Sequence, residues 1–255
     1  MRRASLFLAP VVLVVLILLG WEAACRITHI APYLMPPPSA VWSAFLAGWP
    51  GLLTAAGNTL FMSVQALIAA ILIATPLALL TALSPLLDRA LSPVAVALQV
   101  TPVVAIAPLA VIWAGLDHPE RAITLLAAIV AFFPVFSGAA AGLSSADQDL
   151  ERLFDLYGAN RWQRLTRLRI PAAAPFFLQG VKVAAGLAVI GTIVAEFVAG
   201  SGGAQGLAWR ILEAGNRLKT ADMFAAIFVL AALGAGLNGV FAAAERVILA
   251  RWRGR

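Results

Sequence analysis

The chain has 255 residues, of which 62% are hydrophobic and only 12% are charged, and its formal net charge is +6. Soluble domains carry about 25% charged residues, so this composition excludes an ordinary soluble domain. Several charge-free stretches exceed the roughly 20 residues with which a helix spans a bilayer, and they are too long for barrel strands. The sequence therefore predicts an all-α, polytopic membrane protein. Because basic residues of such proteins collect in cytoplasmic loops, the positive charge does not indicate nucleic acid.

The first apolar stretch follows Arg2 and Arg3 and has the form of a signal peptide, and Cys25 adds the form of a lipoprotein leader. The stretch is long for a signal core, Glu22 is a poor residue beside a cleavage site, and further apolar stretches follow. We therefore expect this segment to be the first transmembrane helix. A single cysteine excludes an intramolecular disulfide, and we expect Cys25 to be packed and inert.

The apolar stretches predict about six transmembrane helices. They are 6–24, 59–83, 94–115, 122–143, 176–199 and 223–243. Ahead of the second span, three successive prolines exclude a helix, and Ser39 is predicted to cap a short interfacial helix over 40–47. In the third span, Pro102 and its neighbouring prolines are expected to kink the helix, in preference to breaking it for a substrate site.

Two further patterns concern packing and orientation. Gly138 and Gly142 give the fourth span a small-residue face for close helix contact. Basic residues are concentrated in the segments predicted to lie inside the cell, which places both termini in the cytoplasm. The inside segments hold Arg2, Arg3, Arg89, Arg152, Arg161, Arg164, Arg167, Arg169, Arg246, Arg251, Arg253 and Arg255, and the outside segments hold Arg26, Arg121, Arg210, Arg217 and Lys219.

One charged interruption, 144–175, separates the fourth and fifth spans. A capping-box pattern at Ser145 begins an amphipathic helix that Gly158 is predicted to end. A second capping-box pattern at Asn160 begins another helix, which Pro171 is predicted to stop. A loop that only fixes topology needs a few arginines but not two capped helices, so a docking surface is the favoured interpretation.

The second half of this loop resembles the conserved cytoplasmic loop of binding-protein-dependent ABC importer permeases. Gly158 is followed by nine residues and then by Leu168-Arg169-Ile170-Pro171, which matches the spacing of the family motif. The family's Glu-Ala-Ala is replaced here by Arg152-Leu153-Phe154. Other short stretches are similar to the sulfonate, taurine and nitrate branch. They are Pro37-Pro38-Ser39-Ala40-Val41-Trp42, Thr101-Pro102, Ala107-Pro108-Leu109, Phe132-Phe133-Pro134, Ala195-Glu196-Phe197, Glu245-Arg246 and Arg251-Trp252.

The resemblance implies a type I importer permease in the bacterial cytoplasmic membrane, formed by one domain over 1–255 with core spans at 59–243. It implies that two such chains, expected to be identical, form the pathway, that ATPase subunits dock on the loop, and that an external binding protein delivers the solute. The solute is expected to be a small anion such as a sulfonate, taurine or nitrate; the alternative is a vitamin precursor or other heterocycle. The implied docking residues are Gly158, Ala159, Asn160, Arg161, Trp162, Arg164, Leu165 and Pro171.

The chain carries no enzyme motif of its own. A P-loop needs a lysine after a glycine-rich turn, and the two lysines, Lys182 and Lys219, follow Val181 and Leu218. No zinc-peptidase or serine-hydrolase motif is present, so we expect no enzyme activity, metal or cofactor in this chain, with ATP and magnesium bound by the partner ATPase. The alternatives are a secondary transporter and a membrane enzyme; the inverted repeats typical of many transporters and an acid/base pair for catalysis are both missing.

Two charged residues lie inside the fifth span, where charge is costly. Lys182 and Glu196 are about 21 Å apart along a helix and face nearly the same side, so they cannot pair with each other. Both are candidates for the translocation pathway or a gate. For Lys182, extension to the cytoplasmic interface is the favoured alternative. For Glu196, capping of a partner group or packing at a gate is as consistent with the pattern as contact with substrate.

Overall fold

The computed structural model describes residues 2–115, 118–199 and 205–252, with side chains described from residue 12 to residue 251. Within these ranges every regular element is helical. The helices are α1 (Arg2–Ile27), α2 (Pro38–Leu83), α3 (Pro85–Val100), α4 (Val103–Ala114), α5 (Pro119–Leu143), α6 (Gln148–Leu156), α7 (Arg161–Arg164), a π-helical turn (Leu165–Arg169), α8 (Ile170–Ala199), α9 (Leu207–Asn216) and α10 (Thr220–Trp252).

The all-α membrane architecture is confirmed. Four described helices are long and apolar enough to cross a membrane: α2, α5, α10 and the continuous helix Arg161–Ala199. The bent pair α3 and α4 makes a fifth if it counts as one span. The predicted first span lies in α1, but the side chains of its residues 6–11 are outside the described part of the structure. Arg253 and Arg255 of the predicted basic tail also lie outside the described residues.

The centre of the bundle is the contact between α5 and α8, and it depends on small residues. A Cβ on Gly138 would lie 2.8 Å from the carbonyl oxygen of Phe176, and a Cβ on Gly142 would lie 2.8 Å from Ala173. Any larger side chain would force the two backbones apart. The predicted small-residue contact face of this span is thereby confirmed.

The second span is longer than predicted and begins differently. α2 is one helix of 46 residues that already contains 40–47, so a separate interfacial helix was a wrong prediction. Its N-cap is Pro37 and not Ser39, and Pro38 takes the first helical position, where a missing N–H costs nothing. The Ser39 backbone N–H and hydroxyl both donate to the carboxylate of Glu22 on α1, at 3.0 and 2.9 Å.

The third span is broken and not merely kinked. α3 and α4 meet at Thr101–Pro102 with an angle of 99°. Proline has no N–H and disfavours a helical conformation at the preceding residue, and Thr101 indeed has an extended ψ of 124°. The prediction of a simple kink was wrong at Pro102, whereas Pro93 and Pro108 lie inside α3 and α4 without breaking them.

The second loop helix does not stop at Pro171, as the sequence pattern predicted. It continues into α8, so that residues from Arg161 to Ala199 form one helix of 39 residues. The π turn Leu165–Arg169 directly precedes the proline, and Ile170 donates its N–H to the carbonyl of Leu165. In this wider turn the carbonyl groups with which the Pro171 ring would otherwise clash are displaced, so the helix continues past the proline.

Candidate functional site

The first helix of the charged loop begins two residues later than predicted. Asp147 is the N-cap of α6, and its side chain accepts a hydrogen bond from the N–H of Asp149 at 2.8 Å. Ser145 instead donates its hydroxyl to the Gly142 carbonyl at 2.7 Å, so it belongs to the end of α5. The capping box predicted at Ser145 was therefore wrong, because the Ser145 hydroxyl is engaged at the end of α5 and Asp147 caps α6 in its place.

Gly158 ends α6, as predicted, and the backbone there explains why it is a glycine. Its φ is +63°, a left-handed conformation in which a Cβ is strained. The N–H of Gly158 donates to the Asp155 carbonyl and the N–H of Ala159 donates to the Phe154 carbonyl, both at 3.0 Å. These two bonds form a Schellman motif, which satisfies the free carbonyls at the helix end.

The second capping box is confirmed in both directions. The Asn160 side chain accepts from the N–H of Gln163 at 2.8 Å, and the Gln163 side chain accepts from the N–H of Asn160 at 2.9 Å. The loop therefore makes its sharp turn between α6 and α7 with its backbone groups satisfied from within. A turn held in this way presents a fixed surface and not a flexible connection.

Two arginines of the second helix point back to the first. Arg169 donates its Nε to Glu151 at 2.7 Å and an Nη to the Ala82 carbonyl at the end of α2, at 3.2 Å. Arg164 forms ion pairs with Glu151, at 3.4 Å, and with Asp155. These contacts hold α6 against the start of the long helix. Arg161 is exposed and forms no ion pair within the described residues.

Apolar side chains cover the exposed side of this turn. Leu156, Tyr157 and Trp162 expose 84%, 82% and 64% of their surfaces. Leu165 is instead buried against Leu143 and Ala173 and anchors the turn from below. The exposed apolar residues, together with Gly158, Ala159 and Arg161, form what we call the loop platform. Exposed apolar surface rimmed by charge is typical of a protein interaction site.

Glu196 is fully buried near the C-terminal end of α8, and its side-chain hydrogen bonds within the described residues are all with other helices. Its carboxylate accepts from the Thr59 hydroxyl at 2.9 Å and from the N–H groups of Ala208 and Trp209 at 3.0 and 3.3 Å. The Thr59 oxygen in turn accepts from the N–H of Leu207 at 2.9 Å. We call this set the Glu196 joint. It supplies the first turn of α9 with the acceptors that a helix start needs.

Lys182 lies near the middle of α8 and also has a partner on another helix. Its Nζ donates to Glu245 of α10 at 3.0 Å, and both side chains are largely buried. The sequence pattern predicted neither this pair nor α9, which is a helix of only ten residues. A lysine inside the fifth predicted span and a glutamate just beyond the sixth are the sequence signal that could have suggested the pair.

Comparison with known proteins fits this geometry. Residues 66–254 match the family described as the binding-protein-dependent transport system inner membrane component. The chain belongs to this family. It is the permease component of an ABC importer, located in the inner membrane with several spans, and it is not an enzyme. ATP is bound by a separate ATPase subunit, and the family implies ATPase and binding-protein partners.

Three relatives match over most of their length. The formylaminopyrimidine transport permease ThiX of Halalkalibacterium halodurans is 32% identical, with 99% of both chains covered. The riboflavin transport permease RibX of Chloroflexus aurantiacus is 32% identical over 95% of this chain and 89% of its own length. The taurine transport permease TauC of Escherichia coli is 31% identical over 86% of this chain and 80% of its own.

Proposed function

We propose that two copies of this permease form a translocation pathway between them and that the loop platform receives the ATPase subunit. The observation that carries the proposal is that the turn exposes apolar side chains while hydrogen bonds and ion pairs within the loop hold it together. The caps at Gly158 and Asn160 satisfy backbone groups of the turn, and Glu151 pairs with two arginines of the second helix. The surface that remains is apolar apart from Arg161 and is directly continuous with a membrane span.

The predicted docking residues divide into two groups under this proposal. Ala159, Asn160, Arg161 and Trp162 contact the ATPase together with Gly158. The remaining three predicted residues act from within the loop: Arg164 through its acidic partners, Leu165 through burial, and Pro171 at the π turn. The arginine distribution supports a cytoplasmic position for this surface and for both termini.

Lys182 and Glu196 have a different role in this proposal. Each already has partners on neighbouring helices, so neither is a free group for a solute. We assign Lys182 to the contact between α8 and α10, and Glu196 to the packing of an outer gate. Direct contact of either residue with the solute is not needed.

The solute that best suits these observations is a small heterocycle. Two relatives that are 32% identical over at least 89% of both chains are named as permeases for formylaminopyrimidine and riboflavin. Lys182, the basic residue in the apolar middle of the described spans, is neutralised by Glu245. The second candidate is the small anion expected from sequence, which the taurine permease relative supports.

Co-purification tests the docking surface. We expect that Trp162→Glu and Arg161→Glu reduce recovery of the ATPase subunit with the permease, because they place negative charge on the platform. The matched control is Arg121→Glu, which reverses an exposed arginine in a segment predicted to lie outside. Equal recovery of the ATPase with all three variants would contradict the docking assignment.

The solute is tested on the binding protein that works with this permease. Its melting temperature is measured with formylaminopyrimidine, riboflavin, taurine and nitrate, since a bound ligand stabilises the folded state. We expect a pyrimidine or flavin ligand to raise the melting temperature. A rise with taurine or nitrate alone would favour the anion instead.

A further inference from the structure

We propose that Glu196 is a positioning residue that couples the long helix to α9, so that movement begun at the loop platform reaches the outer face of the bundle. The proposal rests on the proposed function for the source of the movement. The coupling itself depends only on this chain. In this proposal α9 is a moving part of the outer gate, and the Glu196 joint attaches α9 to the long helix.

The long helix joins the two faces of the membrane without a break. Arg161, on the loop platform, and Glu196 belong to the same helix. The 35 steps along the helix from Arg161 to Glu196 correspond to about 52 Å at 1.5 Å per residue. A continuous helix packed tightly against α5 transmits a displacement of one end to the other. The π turn lies close to the platform, so the membrane-spanning part beyond it is regular α-helix.

At the outer end, the contact with α9 is made by backbone groups. Glu196 accepts from Ala208 and Trp209, and Thr59 accepts from Leu207, so successive N–H groups at the start of α9 are bound in one place. A helix whose first turn is bound in this way follows its acceptors, because leaving them would bury unpaired donors at a cost of about 1–3 kcal/mol each.

The chain before α9 is shaped to allow this contact. Gly206 is the N-cap of α9, and a Cβ built there would overlap the carboxylate of Glu196, whose atoms are its three nearest neighbours. The φ of Gly206 is −89°, which any residue can adopt. Glycine is therefore required at this position because the Glu196 carboxylate approaches so closely, and not because of the backbone conformation.

Movement of α9 would change the outer surface directly. The guanidinium of Arg210 on α9 lies over Gly51 of α2, where a Cβ would come within 2.9 Å of its Nη2. Arg210 and Glu213 of α9 line a cavity with Gly48 of α2 and Asp222 of α10. A shift of α9 therefore alters this cavity, which the predicted orientation places on the side where the binding protein delivers solute.

The alternative is that α2 alone fixes α9 and that α8 moves without it. Thr59 belongs to α2, and the Asn58 side chain of α2 also donates to the Gln205 carbonyl, at 3.0 Å. The contribution of Thr59 depends on its hydroxyl, which donates to Glu196. If Glu196 attaches α9 to α8, removal of its carboxylate releases α9. If α2 alone holds α9, only removal of the Thr59 hydroxyl releases it, so variants of the two residues distinguish the arrangements.

The test uses spin labels on the full-length chain in a Cys25→Ala background, since Cys25 is the single cysteine. One label pair joins Asn216, at the end of α9, to Glu120 on α5, and reports the outer face. A second pair joins Arg167 to Arg89 and reports the cytoplasmic face. Distances are measured for the permease alone and for the complex with the ATPase, with and without a non-hydrolysable ATP analogue.

We expect the analogue to shift both distances in the wild-type complex. In Glu196→Ala we expect the cytoplasmic distance to shift as before, while the outer distance becomes broad and no longer responds. Glu196→Gln should restore the response, because an amide oxygen still accepts from Ala208 and Trp209. Thr81→Val, which removes a buried α2 hydroxyl bound only within its own helix, is the matched control for Thr59→Val.

Each outcome has a separate meaning. An outer distance that still responds in Glu196→Ala, or one that is lost only in Thr59→Val, would overturn the proposal. Failure of the ATPase to bind the wild-type permease would contradict the proposed function instead. Even then, the attachment of α9 can be tested in the permease alone, by comparing the width of the outer distance distribution between Glu196→Ala and wild type.

Discussion

The two ends of the long helix use the same chemistry in opposite surroundings. At the loop end, Asn160 and Gln163 cap the helix from within the same turn and are exposed. At the C-terminal end, Glu196 caps α9 from another helix and is completely buried. An exposed cap can be replaced by water when it is lost, whereas a buried one cannot. The comparison predicts that substitutions at the C-terminal end of the long helix cost more stability than substitutions in the loop. In the loop, we expect substitutions on the exposed surface to impair docking more than those that only lower stability.

The largest effect is expected for Glu196→Ala. The substitution leaves two N–H groups and the Thr59 hydroxyl without their acceptor, and we expect a loss of about 3 kcal/mol or more from unpaired buried donors. Thermal unfolding of the purified permease in detergent, followed by circular dichroism, measures it. Glu196→Gln should lose distinctly less, and equal melting temperatures for alanine and wild type would contradict a structural role for the joint.

Gly206→Ala should come next, and it tests the same contact from the other side. The added methyl group overlaps the Glu196 carboxylate, and overpacking of this kind costs about 1–3 kcal/mol. In the double variant with Glu196→Ala the methyl group has space, so the two losses should not add. Additive losses in the double-mutant cycle would mean that Gly206 is required for another reason.

Gly158→Ala should have a smaller effect on stability than on docking. A Cβ on a left-handed residue costs about 1–2 kcal/mol. We expect this cost to appear as faster hydrogen exchange of the backbone amides in the loop. The matched control is Gly57→Ala in α2, where a Cβ meets nothing within 4 Å. Faster exchange of the loop in the control, or none in Gly158→Ala, would count against the turn geometry described here.

The smallest effects are expected among the exposed charges of the loop. Asp149→Ala removes an ion pair with Arg152 in which both side chains are over 70% exposed, and we expect a change of about 0.5 kcal/mol or less. Glu151→Ala should lower the melting temperature more, because it leaves Arg164 and Arg169 without a shared partner. Equal effects of the two substitutions would show that α6 is not held by Glu151.

Much of the architecture could be predicted from sequence, because apolar length alone reports a helix that must satisfy its backbone in lipid. The Gly138 and Gly142 face and the Asn160 cap were likewise readable, since each depends on neighbours within one or two turns. Proline was the weakest guide: Pro102 breaks a span, while Pro50, Pro76 and Pro171 lie within continuous helices. The difference depends on whether packing around a proline compensates for the missing hydrogen bond, and a local pattern does not contain that information.

The sequence by itself therefore determined the membrane class, the approximate positions of most of the helical spans, the charged loop and its turn at Gly158. Only the tertiary structure decided what the charges do. Glu196 meets Thr59 from 137 positions away, Lys182 meets Glu245 from 63 positions away, and Arg164 turns to Asp155 instead of outward. The physical reason is that a helical repeat fixes which face a residue occupies, whereas its partner is fixed by the helices that pack against that face.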